Sequence, residues 1–592
     1  MQVELKLKAA LKEAFLNIYG FLLTEEACKL QLTRKEFRGN FSLAVFPYVQ
    51  RCKENPCQIA EKVGHWLHSK TDILSSYNVI DGFLNLVMAD TIWLKLLNQI
   101  IENPTYGVLP TLNQRVVVEF SSPNTNKPQH LGHIRNNFLG SSLAEILKAA
   151  GYTVHKVNII NDRGIHICKS MVAYQTLGRG ETPQSSGIKG DHLVGKYYVK
   201  FDQLYKEQLA LLGKHEQDMT TVIPPILQQA QDMLLKWEKG DPAVIDLWQT
   251  MNGWVYDGFK VTYAQLGITF DKIYYESDTY LLGKKIIAEG IDKQLFYKRA
   301  DGAIAVDLSA YGLGEKVLLR SDETAVYITQ DLGTADLRYT DYYFDGMIYV
   351  VGSEQAYHFK VLFAIMNLLG RPYAKAMHHL SYGMIDLPNG KMKSREGNVV
   401  DADHLVAEMI DTVKLYTEEH AHKLDGLTPE ALQALHHTLA IGALKFFLLR
   451  VAPSKKMLFN PVESIDFQGD TGTFIQYTYA RICSLQRKVQ LEHPVLLDRY
   501  SEPLSGVEQA LILQLYRLPM QVEEAAKTYM PSVIANYALE LAKIYNTFYA
   551  THPMLKEPVV AIRNFRLLLS GAVGVVLKKS MALLTIELPT KM

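Results

Sequence analysis

Cysteine is scarce in this chain of 592 residues: five occur, at positions 28, 52, 57, 168 and 483, and no two form a C-x-x-C pair. An odd number without metal-ligand spacing argues against a disulfide framework or a zinc site and predicts reduced thiols, as in a cytoplasm. Excess charge is missing too. Lys plus Arg and Asp plus Glu both total 62, for a formal net charge of zero. Whole-chain electrostatics therefore does not mark a nucleic-acid binder, and any RNA contact must come from local patches. No uninterrupted apolar run reaches the roughly 18 residues of a membrane span. The opening Met-Gln-Val-Glu-Leu-Lys-Leu-Lys has no signal-peptide pattern, so no membrane partner is predicted. Low-complexity segments and repeats are lacking as well. Neither G-x-G-x-x-G nor G-x-x-x-x-G-K-[ST] occurs, which disfavours a dinucleotide site or a P-loop. What remains is ordinary for a globular protein, 48% hydrophobic and 21% charged, with length for roughly three or four domains of about 150 residues.

The most informative stretch runs from Arg115 to Ala150. Val116 to Phe120 is β-branched and apolar, as in a strand buried on both faces. Ser121, Pro123, Asn124 and Pro128 break it. From His130 onward, Leu131, Ile134, Phe138, Leu139, Leu143, Ile146 and Leu147 recur at helical spacing. Gly151 ends the helix, and Thr153 to Ile160 reads as the next strand. The whole is a β-α-β unit with a polar first turn, the place where a doubly wound sheet binds nucleotides. Free N–H groups at a helix start attract phosphate. Two histidines, His130 and His133, flank Gly132 there, and Lys127 precedes them. Imidazole N–H groups can donate to phosphate oxygens, and Gly132 leaves room for a flat base. A helix cap that merely contains histidines fits the same residues.

Three later stretches carry further chemistry. In Thr324 to Gly333, Tyr327 and Asp331 lie four apart and share a face if the piece is helical. A buried Asp beside a Tyr makes a guanidinium socket, because a carboxylate accepts two parallel N–H bonds from the planar fork and an aromatic face stacks on it. A surface Asp near a core Tyr is the plainer alternative. The apolar strand Phe344 to Val351 ends in Gly352-Ser353-Glu354-Gln355-Ala356-Tyr357-His358, another polar strand-to-helix turn. There His358 reads equally as a ligand or as a helix-facing polar residue. Leu387 to Asn398 is a Lys/Arg/Gly loop containing Lys391, Lys393 and Ser394.

Ser121-Ser122-Pro123-Asn124-Thr125-Asn126-Lys127-Pro128-Gln129-His130-Leu131-Gly132-His133-Ile134-Arg135 resembles the HIGH signature of class I aminoacyl-tRNA synthetases. More narrowly, it resembles the arginyl-tRNA synthetase form, where Ser-Ser-Pro-Asn and Lys-Pro precede the signature. The loop at 387–398 is similar to the family's KMSKS loop, with its register open. On Lys-Ser-Arg-Glu-Gly, Lys393 takes the second lysine's place. On Lys391-Met392 the first lysine is present and Ser394 falls where the second should be. One lysine is missing either way, and the resemblance implies that Lys127 compensates. It also implies catalytic roles for Lys127, His130, His133 and Lys393. ATP, accompanied by Mg²⁺, would lie on His130, Gly132, His133, His358, Lys393 and Ser394. Arginine would lie on Glu119, Ser121, Asn124, Tyr327, Asp331 and Gln355. No resident metal is implied. The expected activity is arginine–tRNA ligation, with L-arginine, ATP and tRNA(Arg) as partners of a monomer. The rivals are another class I enzyme such as the cysteine synthetase, which would want zinc ligands missing here, and a catalytically inactive relative that only binds tRNA.

The fold class expected is α/β: a Rossmann-like parallel-sheet catalytic domain, an α+β N-terminal domain and an all-α C-terminal bundle. Residues 1–110 form the N-terminal module, with Asn55-Pro56 opening a helix and Gly82-Phe83-x-Asn85 in a turn and strand. By resemblance it touches the outer corner of the tRNA. Residues 111–400 form the catalytic body, with a polar helical insertion at about 178–260. Residues 401–592 show helical patterns at Ala402–Leu415, Pro429–Leu449, Thr473–Gln490, Val507–Met530, Pro531–Thr551 and Val559–Thr585, with strand signals absent. The stretch from Asp470 to Ile482 resembles the start of the family's anticodon-binding domain. Tyr477 and Tyr479 there suit either base stacking or core packing, and Arg481, Arg487 and Lys488 add basic character.

Overall fold

In the computed structural model, residues 2–34, 36–212, 223–322, 324–386, 400–418, 427–488 and 497–592 are described. The chain forms two compact units. One comprises Met1–Tyr106, Ile482–Leu518 and Leu541–Val576; the other comprises Gly107–Arg481, Pro519–Glu540 and Leu577–Met592.

The first unit contains a four-stranded antiparallel sheet in the order Leu30–Leu32, Phe41–Ala44, Phe83–Met88, Leu74–Ile80. Helices Gln2–Tyr19, Pro56–Lys70 and Asp90–Glu102 accompany it. Asn55 caps the second of these by accepting the Gln58 N–H, and Pro56 occupies the first helical position, where its missing N–H costs nothing. Asn85, 1% exposed, bonds the side chains of Ser42 and Asn78. It ties three strands together, so the motif residue has a structural task.

The second unit holds the sheet that positions the site. Its strands are β1 (Arg115–Glu119), β2 (Thr153–Ile160), β3 (Lys272–Tyr275), β4 (Gly346–Gly352) and β5 (Met377–Tyr382). All pairings are parallel, in the order β5-β4-β1-β2-β3. Val117 of central β1 lies opposite Met347 of β4 and His155 of β2. The helices that matter are α1 (Leu131–Ala149), α2 (Tyr327–Tyr342) and α3 (Ala356–Leu368). α1 lies so close to the end of β1 that a Cβ on Gly140 would sit 2.2 Å from Phe120 Cγ. At its C-terminal end Gly151 has φ +95°, and a Cβ there would meet the Pro110 carbonyl at 2.1 Å.

The predicted insertion is helical: Gly190–Leu211, Pro225–Glu238 and Pro242–Leu266. The Asp301-Gly302 hairpin joins Phe296–Lys298 to Ile304–Asp307, and Glu315–Leu319 extends that sheet. Past residue 400 the regular elements among the described residues are α-helices, one 3₁₀ turn at Leu497–Arg499 and one two-residue strand, Met457–Leu458, which pairs with Ile385–Asp386. The helix predicted at Val507–Met530 is two helices, Gly506–Tyr516 and Leu518–Thr528. Pro519 brings no N–H for the Leu515 carbonyl, and the Tyr106 hydroxyl donates to the carbonyls of Leu515 and Tyr516 at 3.1 and 3.0 Å. Tyr479 is buried, while the Arg481 guanidinium lies 4.9 Å from the centre of the Tyr477 ring. Helices Pro429–Leu449 and Val560–Leu583 are long and apolar enough by composition to cross a membrane, although half or more of each apolar stretch is buried within the protein.

Candidate functional site

The chain leaves β1 toward β2 and β3 on one side and returns through β4 and β5 on the other. The carboxyl ends of β1 and β4 therefore flank the switch point of the sheet, where an open α/β fold leaves a crevice. The turn after β1 is strained. Ser121 has φ 76° and Ser122 φ 47°, both left-handed without being glycine. Two buried asparagines hold them there. The Ser121 N–H donates to Asn136 Oδ1 at 2.6 Å and the Ser122 N–H to Asn158 Oδ1 at 2.9 Å. Asn136 Nδ2 in turn donates to the Val350 carbonyl of β4 at 2.8 Å, so the crevice's two walls share one side chain. Ser121's own hydroxyl is buried against the Tyr263 hydroxyl at 2.7 Å.

His130 caps α1. Its Nδ1 accepts the Gly132 N–H at 3.1 Å, and His133 Nδ1 accepts the His130 N–H at 3.2 Å. The cap reading holds, and it does not use the Nε2 atoms on which the phosphate-donor reading depends. Each Nδ1 is an acceptor and carries no proton, so the neutral ring keeps its proton on Nε2, where it can donate. Burial, with Lys127 nearby, lowers His130 to about 4. Burial and the charges of His130 and Lys127 put His133 well below the ordinary 6.5. The rings lie 4.0 Å apart. At neutral pH the site presents two uncharged imidazoles.

Residues 400–402 return to this turn. The Leu131 N–H donates to the Val400 carbonyl at 3.2 Å and the Ala402 N–H to the Gln129 carbonyl at 3.0 Å. One turn further along α1, the fully buried Arg135 donates from Nη1 to Gly383 at 2.6 Å and from Nη2 to Pro453 and Lys455 at 3.1 and 3.0 Å, all backbone carbonyls. Lys393 and Ser394 lie outside the described residues, as does the register of their loop.

On the same edge of the sheet stands an acidic group. Tyr327 and Asp331 occupy the first turns of α2, on one face as predicted. The predicted burial is not found: Tyr327 is 72% exposed and the Asp331 side chain 43%. The socket is an open rim at the start of a helix. His358 Nε2 of α3 lies 2.5 Å from Asp331 Oδ2. Gln355, at the N-cap of α3, and Asn124 are exposed. Glu119 is deeply buried and paired with Arg338, and it also accepts the Ser122 hydroxyl at 3.0 Å. The Arg338 guanidinium lies 5.3 and 5.8 Å from the rings of Tyr274 and Tyr349. The carboxylate expected to aid substrate recognition is therefore already engaged by an internal guanidinium.

One residue escaped the sequence, and a second lay in the 121–135 stretch without a role. Glu276 follows β3 and is 9% exposed. Burial, reinforced by Asp162 and Asp331 against the pull of Arg163, pushes it up to about 7. With its amide oriented to satisfy both neighbours, Gln330 donates to Glu276 at 2.8 Å and accepts from Arg163 at 3.3 Å. Arg135 is the other. The Asn161-Asp162-Arg163-Gly164 turn was the available signal for Glu276; Arg135 closes the 121–135 stretch, but nothing local marked its three distant carbonyl partners. Among the described residues, Asp191, His192 and Asp403 have the spacing of metal ligands, but Lys189 Nζ sits among them, 3.2 Å from Asp191 and 2.5 Å from Asp403. An ammonium already supplies the positive charge there.

Residues 95–460 match the family described as tRNA synthetases class I (R), catalytic domain, and residues 475–592 match the DALR anticodon binding domain. The arginine–tRNA ligase of Amoebophilus asiaticus (strain 5a2) is 54% identical, and that of Bacteroides thetaiotaomicron 49%, each aligned over 100% of both chains. Among solved structures, the arginyl-tRNA synthetase of Thermus thermophilus superposes with a TM-score of 0.76 at 24% identity, covering 99% of each chain. The Plasmodium falciparum arginyl-tRNA synthetase gives the same TM-score at 19% identity, covering 99% of this chain and 98% of its own.

Proposed function

The chain belongs to the arginine-specific class I tRNA synthetases, and we propose how its residues carry out the arginine–tRNA ligase reaction. ATP, with Mg²⁺ as part of the substrate complex, lies at the crevice between the ends of β1 and β4. The Nε2–H groups of His130 and His133 donate to its phosphate oxygens, and Gly132 leaves space beside the nucleotide. Lys127 supplies positive charge, together with Lys393. The arginine carboxylate attacks the α-phosphorus and pyrophosphate leaves. Because the new bond is made by the substrate itself, no protein nucleophile is needed, and positioning with stabilisation of oxygen charge carries the rate. The terminal ribose hydroxyl of tRNA then attacks the mixed anhydride.

The substrate guanidinium enters between Tyr327 and the carboxylate of Asp331, with Glu276 close behind. Asn124 and Gln355 take the α-amino and carboxylate ends. Glu119 acts at one remove, holding Arg338 and Ser122 so that the strained turn keeps its shape. Lysine offers a point charge where the rim offers a fork, which favours arginine. The anticodon-binding region at 475–592 and the N-terminal module of residues 1–110 take the tRNA, and the enzyme works as a monomer.

One observation carries this reading: the backbone cap consumes both Nδ1 atoms and leaves both Nε2–H donors for a ligand. Charging of purified tRNA(Arg) with labelled arginine tests it. Arginyl-tRNA should accumulate only with ATP present, and intact protein that binds tRNA(Arg) without charging it would refute the reading.

A further inference from the structure

The helical insertion at about 178–260 has no role in the reaction just described, yet two of its segments reach the edge of the site. Lys189, the residue before helix Gly190–Leu211, places Nζ 2.5 Å from both Asp403 Oδ2 and Thr262 Oγ1, and 3.2 Å from Asp191 Oδ2. Thr262, on helix Pro242–Leu266, donates to Asp403 Oδ1 at 3.0 Å. His192 Nε2 lies 2.9 Å from Asp403 Oδ2 and 3.4 Å from Asp401 Oδ2. Asp191 is fully buried and Thr262 1% exposed. Three acidic side chains meet one lysine and one histidine in a partly enclosed cluster.

The far side of the cluster is the ATP turn. Asp401 Oδ1 accepts the N–H groups of Asp403 and His404 at 2.9 and 3.1 Å, starting helix Ala402–Glu418. Through its backbone, Asp401 bridges to His130. The hydrogen bonds Leu131 N–H to Val400 and Ala402 N–H to Gln129 bracket that bridge. A shift of residues 401–403 therefore moves the backbone that carries the His130 ring. A surface-type ion pair would have no such consequence. This one has its atoms fixed from two separate helices of the insertion.

We propose that Lys189, His192 and Thr262 form a positioning cradle for Asp401 and Asp403, by which the insertion sets the His130 turn in register for the nucleotide. None of these residues touches substrate. Each acts through the short antiparallel pairing of residues 400–402 with 129–131. Burial would raise the Asp403 carboxyl, but the bonds from His192 and Lys189 outweigh it and hold it at about 2, so Asp403 is ionised at neutral pH. The cradle rests on the reading that this turn binds ATP.

The test is tRNA-supported, arginine-dependent ATP–pyrophosphate exchange on the full chain. Asp403→Asn keeps the shape and removes the charge shared by Lys189 and His192. Its kcat should fall about 10- to 100-fold, as expected for a misplaced reacting group, while the arginine KM stays within about two-fold. His192→Ala should behave alike, and His192→Gln, whose amide can donate to Asp403, should recover most of the loss. The proposal is overturned if folded Asp403→Asn has wild-type kcat, if His192→Ala and His192→Gln lose equally, or if the arginine KM rises in step with the loss of kcat. Should Asp403→Asn fail to fold, the histidine pair decides alone. Exchange absent from the wild-type enzyme would instead strike at the ATP reading beneath the cradle.

Discussion

His358 Nε2 on α3 lies 2.5 Å from Asp331 Oδ2 on α2. The carboxylate assigned to the guanidinium therefore has a partner within the chain. Burial acts to lower the His358 pKa, but the hydrogen bond and negative charge of Asp331 outweigh it and raise it above 6.5. Protonated His358 is then a competing cation. The arginine KM should fall as pH rises through this raised pKa and frees Asp331. His358→Gln should flatten that dependence in steady-state kinetics. The stability linkage runs in the same window: the pair's contribution is full below 6.5 and is lost as pH climbs through the folded pKa.

Asp331→Ala removes the proposed acceptor for the guanidinium fork. Loss of one member of a hydrogen-bonded charge pair typically costs about 2–5 kcal/mol, so the arginine KM should rise about 30-fold or more while ATP binding, read by calorimetry, is unchanged. Glu276→Gln should give a smaller rise, because this residue stands behind Asp331 on the same rim.

Capping and catalysis can be separated at His130. Asparagine is a good N-cap but carries no imidazole donor. His130→Asn should keep the thermal midpoint while activation falls about 10²- to 10³-fold, the usual cost of a lost oxyanion donor. His130→Ala should lose the activity and, in addition, about 1 kcal/mol of stability in denaturant unfolding. As pH falls below 6.5 toward about 4, the unfolded chain binds protons that His130 and His133 refuse in the fold, so wild-type stability should decline there and His130→Asn should decline less.

Arg135→Met leaves the carbonyls of Gly383, Pro453 and Lys455 without their buried donor. At about 1–3 kcal/mol for each unsatisfied group, urea unfolding should show a loss of about 3 kcal/mol or more. A folded variant should also lose exchange activity, since α1 carries His133 and is capped by His130.

Elements that begin with a local punctuation mark were legible in the sequence. Helices Pro429–Leu449 and Pro531–Thr551 start where Pro does, and strand Thr153–Ile160 follows from Gly151 and an apolar run. The His130 turn was legible because its residues are contiguous. The clamp of Arg135 was not, for its partners lie 248 to 320 residues away. The pairing of Glu119 with Arg338, 219 residues on, was hidden for the same reason. A spacing of four placed Tyr327 and Asp331 on one face of a helix but could not say whether that face was covered. The break at Arg517 was signalled by Pro519 and overridden by the apolar periodicity on both sides.

The account stands on arginine being activated here because a planar cation fits the Tyr327–Asp331 rim beside an ATP turn. ATP–pyrophosphate exchange with tRNA(Arg) present, run with arginine and with lysine in parallel, measures this directly. Exchange should be strong with arginine and at least about 10³-fold weaker with lysine, the scale set by leaving a polar recognition site unpaired. Equal exchange with both amino acids, or none with arginine, would contradict it.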